Sequence, residues 1–312
     1  MYKDLRVLFV GIPDMAYVCL DGMVKAGINI VGVVGPKKTH NTYQAFRTFV
    51  KQRNLNFIEF DDLEDEGFIN NIRALNADIA VVCSFNYKVP KVMLDSVKGG
   101  FINTHPALLP DYRGANPYSA VIINNEKYTG VTLHMMDEDF DTGDIVLQRK
   151  LEIQDNDTMG TLFNKQNQLG LEMLLEALEL YSKGEMIRTP QAKGEFKSAN
   201  KIKSNIINFE QDAESVERFI RGLNPFILAK TYFRGFPLTV FTAEVDKSKA
   251  DKNLPCGAIA KVTKDRFYIK TKDGLIAPTS IQFGGFFVST AKEFVAIVNP
   301  QVGEVMKGNI FG

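Results

Sequence analysis

The chain has 312 residues, of which 45% are hydrophobic and 24% charged, with 37 basic and 37 acidic side chains; this length exceeds what one hydrophobic core usually serves and predicts two domains. No apolar run reaches the roughly 18 residues of a membrane span, and the stretch after Met1-Tyr2-Lys3-Asp4-Leu5-Arg6 is too short for a signal-peptide core, so a cytoplasmic protein without a membrane role is expected. Cys19, Cys83 and Cys256 are odd in number, far apart and form no CxxC pair, which argues against a disulfide framework and a zinc site and reads all three as packing thiols.

The run Arg6 to Gly11, "RVLFVG", is a short continuous apolar segment ending in glycine, the pattern of a strand buried on both faces. Helical spacing follows from Pro13 to Ala26, with Gly27 as a stop, then a second strand from Ile28 to Gly35. Thr42 to Arg53 fits a helix, Asn56 to Phe60 a strand, Glu66 to Leu75 a helix and Asp78 to Phe85 a fourth strand. Helix Lys91 to Val97 and the turn Gly99-Gly100 lead to strand Phe101 to Thr104. Such alternation predicts an α/β fold with a doubly wound, mostly parallel sheet, whose ligands sit beyond the carboxyl ends of the strands. His105 is therefore expected just past a strand's carboxyl end.

After a helix near Pro117 to Asn124, Gly130 to Met136 and Asp144 to Ile153 read as two strands joined by the polar turn Asp137 to Gly143, and Thr158 to Ser182 as a long amphipathic helix. From Lys183 the chain turns polar and loses periodicity, the signature of a linker. Asp212 to Leu223 fits one more helix. Short β-rich runs then follow at close spacing, from "AKTYF" to "LIAPTSIQF", and predict a smaller C-terminal β-barrel domain. The expected organisation is a catalytic domain over 1–182, a linker over 183–205 and a barrel over 206–312. Charge divides along the same line: residues 1–182 hold 17 Lys and Arg against 24 Asp and Glu, and residues 183–312 hold 20 against 13. The basic second part suits a polyanionic partner, or is simply solvated surface, since no dense basic run accompanies it.

The turn after the first strand, Gly11-Ile12-Pro13-Asp14-Met15-Ala16, lacks GxGxxG, and no GxxxxGK[ST] loop is present, which argues against NAD and ATP. Asn103 and His105 are two residues apart, so in extended backbone they share a face, and a parallel sheet can bring the Asp141 turn to them. An amide that donates to an oxyanion, a histidine that exchanges protons near neutral pH and a carboxylate beside it together suit acyl transfer. A histidine at a strand end also serves as a hydrogen-bonded structural residue, and these three residues alone leave both readings open. The prolines on either side of Ala107-Leu108-Leu109 predict a stiff, extended loop with backbone groups free for a planar ligand. His134 falls mid-strand and reads as packed or exposed without a role, and His40 as surface. No HxxxH or HxH spacing supports a metal, so none is expected.

The runs "NTHPALLPDYRGANP" and "TGVTLHMMDEDFDTGDIVLQ" closely resemble the signature of the folate-dependent formyltransferase superfamily, over about residues 5 to 182. It consists of Asn-x-His, Leu-Leu-Pro, Arg-Gly and Asp-Thr-Gly-Asp in order. The resemblance implies that 10-formyltetrahydrofolate is the co-substrate, its pterin lying against loops 84–90, 107–110 and 137–141, with Ala107, Leu108, Leu109, Pro110, Asp137 and Glu138 as binding residues. It also implies that Asn103 stabilises the tetrahedral oxyanion, that His105 transfers protons or donates, and that Asp141 holds His105 charged and orders water.

The second part resembles the barrel domain of the branch that acts on methionyl-tRNA: "SANKIKSNIINF" is similar to its linker and "FIRGLNPFILAKTYFRGFPLTVFTAEV" to the start of its barrel. That resemblance implies initiator methionyl-tRNA as acceptor, and a basic half suits an RNA backbone. The tRNA enzymes usually carry a Gly-, Arg- and Lys-rich insertion after the second strand, where this chain has only Lys37, Lys38 and His40. The usual Gly-Ser before Leu-Leu-Pro is Pro106-Ala107, and the usual Pro-Trp of the barrel is Pro225-Phe226. Enzymes that formylate amino sugars on nucleotides also lack the insertion, so a nucleotide-linked amino sugar is the alternative acceptor, and a relative that binds folate or RNA without turnover is a third reading.

Overall fold

The computed structural model describes residues 4–13, 15–285 and 287–309. They divide into two compact units: residues up to Pro117 with Tyr128–Glu152 and Phe163–Asn200, and Tyr118–Lys127 with Ile153–Leu162 and everything from Lys201 onward.

In the first unit the elements run β1 (Val7–Gly11), α1 (Met15–Lys25), β2 (Ile30–Pro36), α2 (Asn41–Gln52), β3 (Phe57–Phe60), α3 (Glu66–Ala74), β4 (Ile79–Cys83), α4 (Lys91–Leu94) and β5 (Phe101–His105). After α5 (Pro117–Ile123), most of which belongs to the second unit, come β6 (Tyr128–Met135), β7 (Ile145–Glu152) and α6 (Met159–Lys183). Asp14, within the expected first helix, lies outside the described residues. The sheet order is β3-β2-β1-β4-β5-β6-β7. Its first five strands are parallel, and β6 and β7 are antiparallel. The doubly wound, mostly parallel sheet expected from the alternation is the one observed.

Alternation along the central strands shows why both faces are covered. Val7 and Phe9 of β1, with Val33, Ile79 and Val81, pack with Met15, Leu20 and Met23 of α1 and with Met173, Leu174 and Leu178 of α6. Leu8 and Val10, with Val34, Ala80 and Val82, pack with Phe68, Ile69 and Ile72 of α3. A strand whose odd and even residues are both buried reads as the continuous apolar run seen in the sequence. Gly22 and Gly170 allow close helix packing, since a Cβ at Gly22 would strike Leu171 and one at Gly170 would strike Met15 and Thr104. His40, expected as plain surface, has a defined local role: its Nδ1 accepts from the Thr42 N–H at 3.4 Å and caps α2. α4 is shorter than expected, because the Ser96 side chain donates to the Met93 carbonyl at 2.6 Å and turns the chain toward Gly99.

The segment after α6, expected as a linker, is held along the first unit as far as Asn200. Thr189 exchanges both backbone hydrogen bonds with Ile145, at 2.8 and 2.9 Å. Further on, the Tyr112 N–H donates to the Lys197 carbonyl at 2.6 Å and the Ala199 N–H to the Arg113 carbonyl at 2.8 Å. Periodicity is absent there because the segment pairs only as single bridges, with the first residue of β7 and with the loop at Arg113, which leaves no repeating pattern in the residues.

The second unit contains α7 (Ala213–Leu223), β8 (Ala229–Phe233), β9 (Phe236–Asp246), β10 (Ile259–Val262), β11 (Phe267–Lys270), β12 (Leu275–Phe283), β13 (Phe287–Thr290) and α8 (Ala291–Val298). The strands form an antiparallel sheet in the order β10-β11-β12-β9-β8, with β13 added to β12. The two edges, β8 and β10, are both joined to residues 304–307. Tyr232 and Lys307 exchange backbone bonds, the Met306 N–H donates to Gly257 and the Ile259 N–H to Glu304. That closure leaves few free edges and makes the sheet barrel-like. Phe233, Phe267 and Phe294 pack at its centre, with the Phe267 and Phe294 ring centroids 4.9 Å apart. α8 and β13 were not legible as elements in the sequence; α8 starts at a Thr290–Glu293 capping box, which satisfies its first N–H groups. Among the described residues no helix is long and apolar enough to cross a membrane.

Candidate active site

β5 and β6 pair antiparallel with Asn103 opposite His134 and His105 opposite Thr132. Directly opposed residues project to the same side of a sheet, and residues two apart share a face. Four polar side chains are thereby grouped on one face, next to strands whose other residues are apolar. Asp141 joins them from the turn that follows β6. His105 closes β5 as its last residue, and only 4% of its surface is exposed.

The hydrogen bonds assign the tautomers. The Nδ1 of His134 lies 2.8 Å from the Met135 carbonyl, which can only accept, so the ring proton sits there and Nε2 carries a lone pair. Nε2 then accepts from the Asn103 amide at 3.0 Å. His105 donates from Nε2 to the Tyr112 carbonyl at 2.9 Å, and its Nδ1 faces Asp141 Oδ1 at 3.5 Å. The same Oδ1 is 3.4 Å from Asn103 Nδ2 and 3.5 Å from His134 Nε2, while Oδ2 accepts from the Gly114 N–H at 3.0 Å. One carboxylate thus sits among all three other groups.

Burial pushes the Asp141 carboxyl upward, but the nearby His105 and His134 rings and the Gly114 N–H outweigh it and bring the pKa down to about 2. Asp141 is an anion at any physiological pH. For His105 burial is the largest effect and it prevails: the pKa is lowered below the ordinary 6.5, although Asp141 and the Tyr112 carbonyl favour the charged ring. Against the expectation that Asp141 holds His105 charged, burial of the ring favours its neutral form. The ring is a neutral base at pH 7, because removing it from water costs more than one carboxylate at 3.5 Å returns.

The Ala107 to Pro110 loop also differs from expectation. The Ala107 N–H donates to the His105 carbonyl at 3.0 Å, and the Ala107 carbonyl accepts from Thr132 Oγ1 at 2.6 Å. Leu109 donates to Thr132 Oγ1 at 3.1 Å and accepts from Gln148 Nε2 at 2.8 Å. The Ala107 and Leu109 side chains are buried, while Leu108 and Pro110 are half-buried. These backbone groups are not free for a ligand: Thr132, facing His105 across the strands, holds the Ala107 carbonyl and the Leu109 N–H, and His105 and Gln148 hold the other two. Asp137 and Glu138 are exposed, and Asp137 accepts from Thr142 Oγ1 at 2.6 Å within its own turn.

A cleft of about 790 Å³ opens beside the cluster between Phe60–Glu64, Tyr87–Val92 and Glu138–Asp139. Tyr87, Lys88, Val89 and Asp139 also line a small recess that reaches Asn103, His134 and Asp141. The expected ligand loops 84–90 and 137–141 meet at these cavities, whereas 107–110 is in the lining of neither. Phe60 and Tyr87, with centroids 5.2 Å apart, give the cleft an aromatic side. Among the described residues no group of three or more His, Cys, Asp or Glu is arranged to hold a metal ion.

Asn103, His105 and Asp141 are neighbours, as expected from the sequence, and His134 and Thr132 stand with them unexpectedly. Their signal was present: Thr132-Leu133-His134 alternates on β6 as Asn103-Thr104-His105 does on β5. Only the pairing register shows that the two patterns face each other.

Residues 7–178 match the formyl transferase family model and residues 201–299 match that of the formyl transferase C-terminal domain. A methionyl-tRNA formyltransferase of Clostridioides difficile (strain 630) is 34% identical to this chain, over 98% of the chain and 97% of that protein. One of Alkaliphilus oremlandii (strain OhILAs) is 32% identical over 99% of this chain and all of that protein. Among solved structures, the N-formyltransferase of Helicobacter canadensis in complex with folinic acid and dTDP-3-aminofucose superposes with a TM-score of 0.67 at 18% identity, covering 89% of this chain and 100% of that one. HypX of Aquifex aeolicus in complex with tetrahydrofolic acid superposes with a TM-score of 0.64 at 18% identity, over 96% of this chain and 48% of its own.

Proposed function

The chain belongs to the formyl transferase family, and from that premise we propose that it moves the formyl group of 10-formyltetrahydrofolate onto the amino group of methionine carried by initiator tRNA. The reaction places the protein in translation initiation, in the cytoplasm. The observation that carries the chemistry is the convergence of Asn103, His105 and His134 on one carboxylate oxygen of Asp141. The acceptor is supported by methionyl-tRNA formyltransferases that align with both units of the chain. The basic character of residues 183–312 agrees with an RNA ligand.

The cleft suits the co-substrate. Its volume of about 790 Å³ lies within the usual range of small-molecule sites, Tyr87 gives it an aromatic wall, and it adjoins the recess that reaches the polar cluster. When bound, 10-formyltetrahydrofolate supplies an activated formyl carbon and a nitrogen leaving group. The attacking amine must lose one proton and the departing nitrogen must gain one. His105 takes the proton at Nδ1, where Asp141 stabilises the resulting imidazolium, and its Nε2–H remains on the Tyr112 carbonyl throughout. Returning that proton to the leaving group restores the neutral ring. Asn103 keeps one N–H on His134 Nε2 at 3.0 Å; the other makes only a long 3.4 Å contact with Asp141 and is the one available to a developing oxyanion. His134 and Asp141 thus orient the amide.

One observation favours a nucleotide-linked amino sugar instead. The short connection after β2 has little charge to spare: Lys37 pairs with Asp61 at 3.1 Å and His40 caps α2. Single-turnover reactions with 10-formyltetrahydrofolate, offered initiator methionyl-tRNA and a panel of nucleotide-linked amino sugars in parallel, separate the two. Product on the tRNA supports the main proposal, and product on a sugar alone replaces it.

A further inference from the structure

The residues that hold the Asp141 turn point to a role for the segment after α6. Asp141 itself is left-handed, with φ 58°, and so is Tyr112, with φ 62°, whose carbonyl receives the His105 proton. A side chain larger than glycine's is strained in this region by about 1 kcal/mol or more, so neither conformation persists unless neighbours impose it. In both cases the neighbour is the same stretch. Lys197 accepts the Tyr112 N–H, and Gln191 donates from Nε2 to the Asp141 carbonyl at 2.9 Å and to the Gly143 carbonyl at 2.8 Å.

Gln191 is also fixed from its other end. Its Oε1 accepts from Arg113 NH2 at 2.6 Å, so both amide protons and the amide oxygen have partners and the side chain cannot rotate without losing all three. Thr189, two residues earlier, is bridged to Ile145, and Ala199 is bonded to Arg113 and to Asn116. Gly143 tightens the arrangement, since a Cβ there would strike the Met135 carbonyl. The turn carrying Asp141 is therefore clamped between β6 on one side and Gln191 on the other.

We propose that Gln191 is a positioning residue: its amide imposes the left-handed Asp141 turn and keeps the carboxylate at the centre of Asn103, His105 and His134. It touches neither the reacting atoms nor the cleft, and acts through Asp141 alone. The inference rests on the assignment of His105 and Asp141 to the chemistry.

Gln191→Glu keeps the shape and the bond from Arg113 but sets its second carboxylate oxygen against the two carbonyls. A displacement of about 1 Å in a catalytic group costs on the order of 100-fold in rate. Gln191→Glu should thus lower kcat for formylation of methionyl-tRNA about 10- to 100-fold, while KM for each substrate changes less than about 3-fold. In the Asp141→Asn background the same substitution should cost less than about 2-fold, because the group it positions is gone. Gln191→Leu, which removes the donors without adding charge, should behave alike. Parental kcat in both variants, or a full multiplicative loss in the Asp141→Asn background, overturns the proposal. So does failure of both variants to fold, which would assign Gln191 to holding the unit together. Were Asp141→Asn itself to retain parental kcat, the assignment of the site would fall; a slow Asp141→Asn enzyme beside an unimpaired Gln191→Glu removes only the role of Gln191.

Discussion

Replacing His105 by alanine tests the chemistry at its centre. In the folded chain the ring is buried, its Nε2–H is committed to the Tyr112 carbonyl at 2.9 Å, and Nδ1 lies 3.5 Å from Asp141. For unit charges at 3.5 Å and an effective dielectric near 20, attraction between imidazolium and carboxylate is at most about 5 kcal/mol. Burial opposes it and prevails, so the ring rests neutral and is charged only while it carries the transferred proton. Loss of a positioned proton acceptor typically costs about 100- to 10,000-fold. His105→Ala should accordingly reduce single-turnover formylation of methionyl-tRNA by about 100-fold or more, with affinity for 10-formyltetrahydrofolate changed less than about 3-fold. Rapid-quench measurement at saturating folate, with circular dichroism to confirm the fold, reads the effect. Formylation within about 3-fold of the parental rate would refute the proton-transfer role.

Acid should weaken the fold through the same groups. The Asp141 pKa of about 2 lies below its unfolded value of 3.8, so its stabilisation is complete above pH 4 to 5 and is lost as pH falls toward 2. That shift corresponds to about 2 kcal/mol. His105, lowered from 6.5, acts in the same direction: the unfolded chain takes up its proton first, and stability falls as pH drops below 6.5. Urea titrations at pH 7, 5 and 3.5 should show the advantage of the parental chain over Asp141→Asn shrinking toward acid; a constant advantage would contradict the assignment. For the acceptor, charge reversal at Lys197, Lys201 and Lys203 should weaken tRNA binding and flatten its salt dependence, and a parental affinity that is already independent of salt points to a small acceptor. Phe294, 2% exposed and in contact with the Phe233, Phe267 and Phe283 rings, should cost about 3–5 kcal/mol when changed to alanine, read by urea unfolding of the full chain. A loss below about 1 kcal/mol would show that the barrel core repacks around the gap.

Much of the fold could be read from residues alone because the signals were local. Continuous apolar runs at Val7–Gly11 and Ile79–Cys83 reflect strands buried on both faces, and the spacing within Met159–Lys183 reflects one helix. α8 has a strong cap but little sequence signature, since a helix of 8 residues offers barely two turns of periodicity. The segment over 189–200 resembled a linker for a related reason: isolated bridges to Ile145 and Arg113 require no regular pattern.

By itself the sequence determined that Asn103 and His105 share a face at the end of a buried strand, because a period of two is a property of extended backbone. It also determined that a polar turn between two strands carries Asp141. The antiparallel register that sets His134 against Asn103 and Thr132 against His105 was decided only in the tertiary structure, as was the capture of the Ala107–Leu109 backbone by Thr132. So was the charge state of His105, since burial depends on everything packed around the ring and a motif records only its nearest neighbours in the chain.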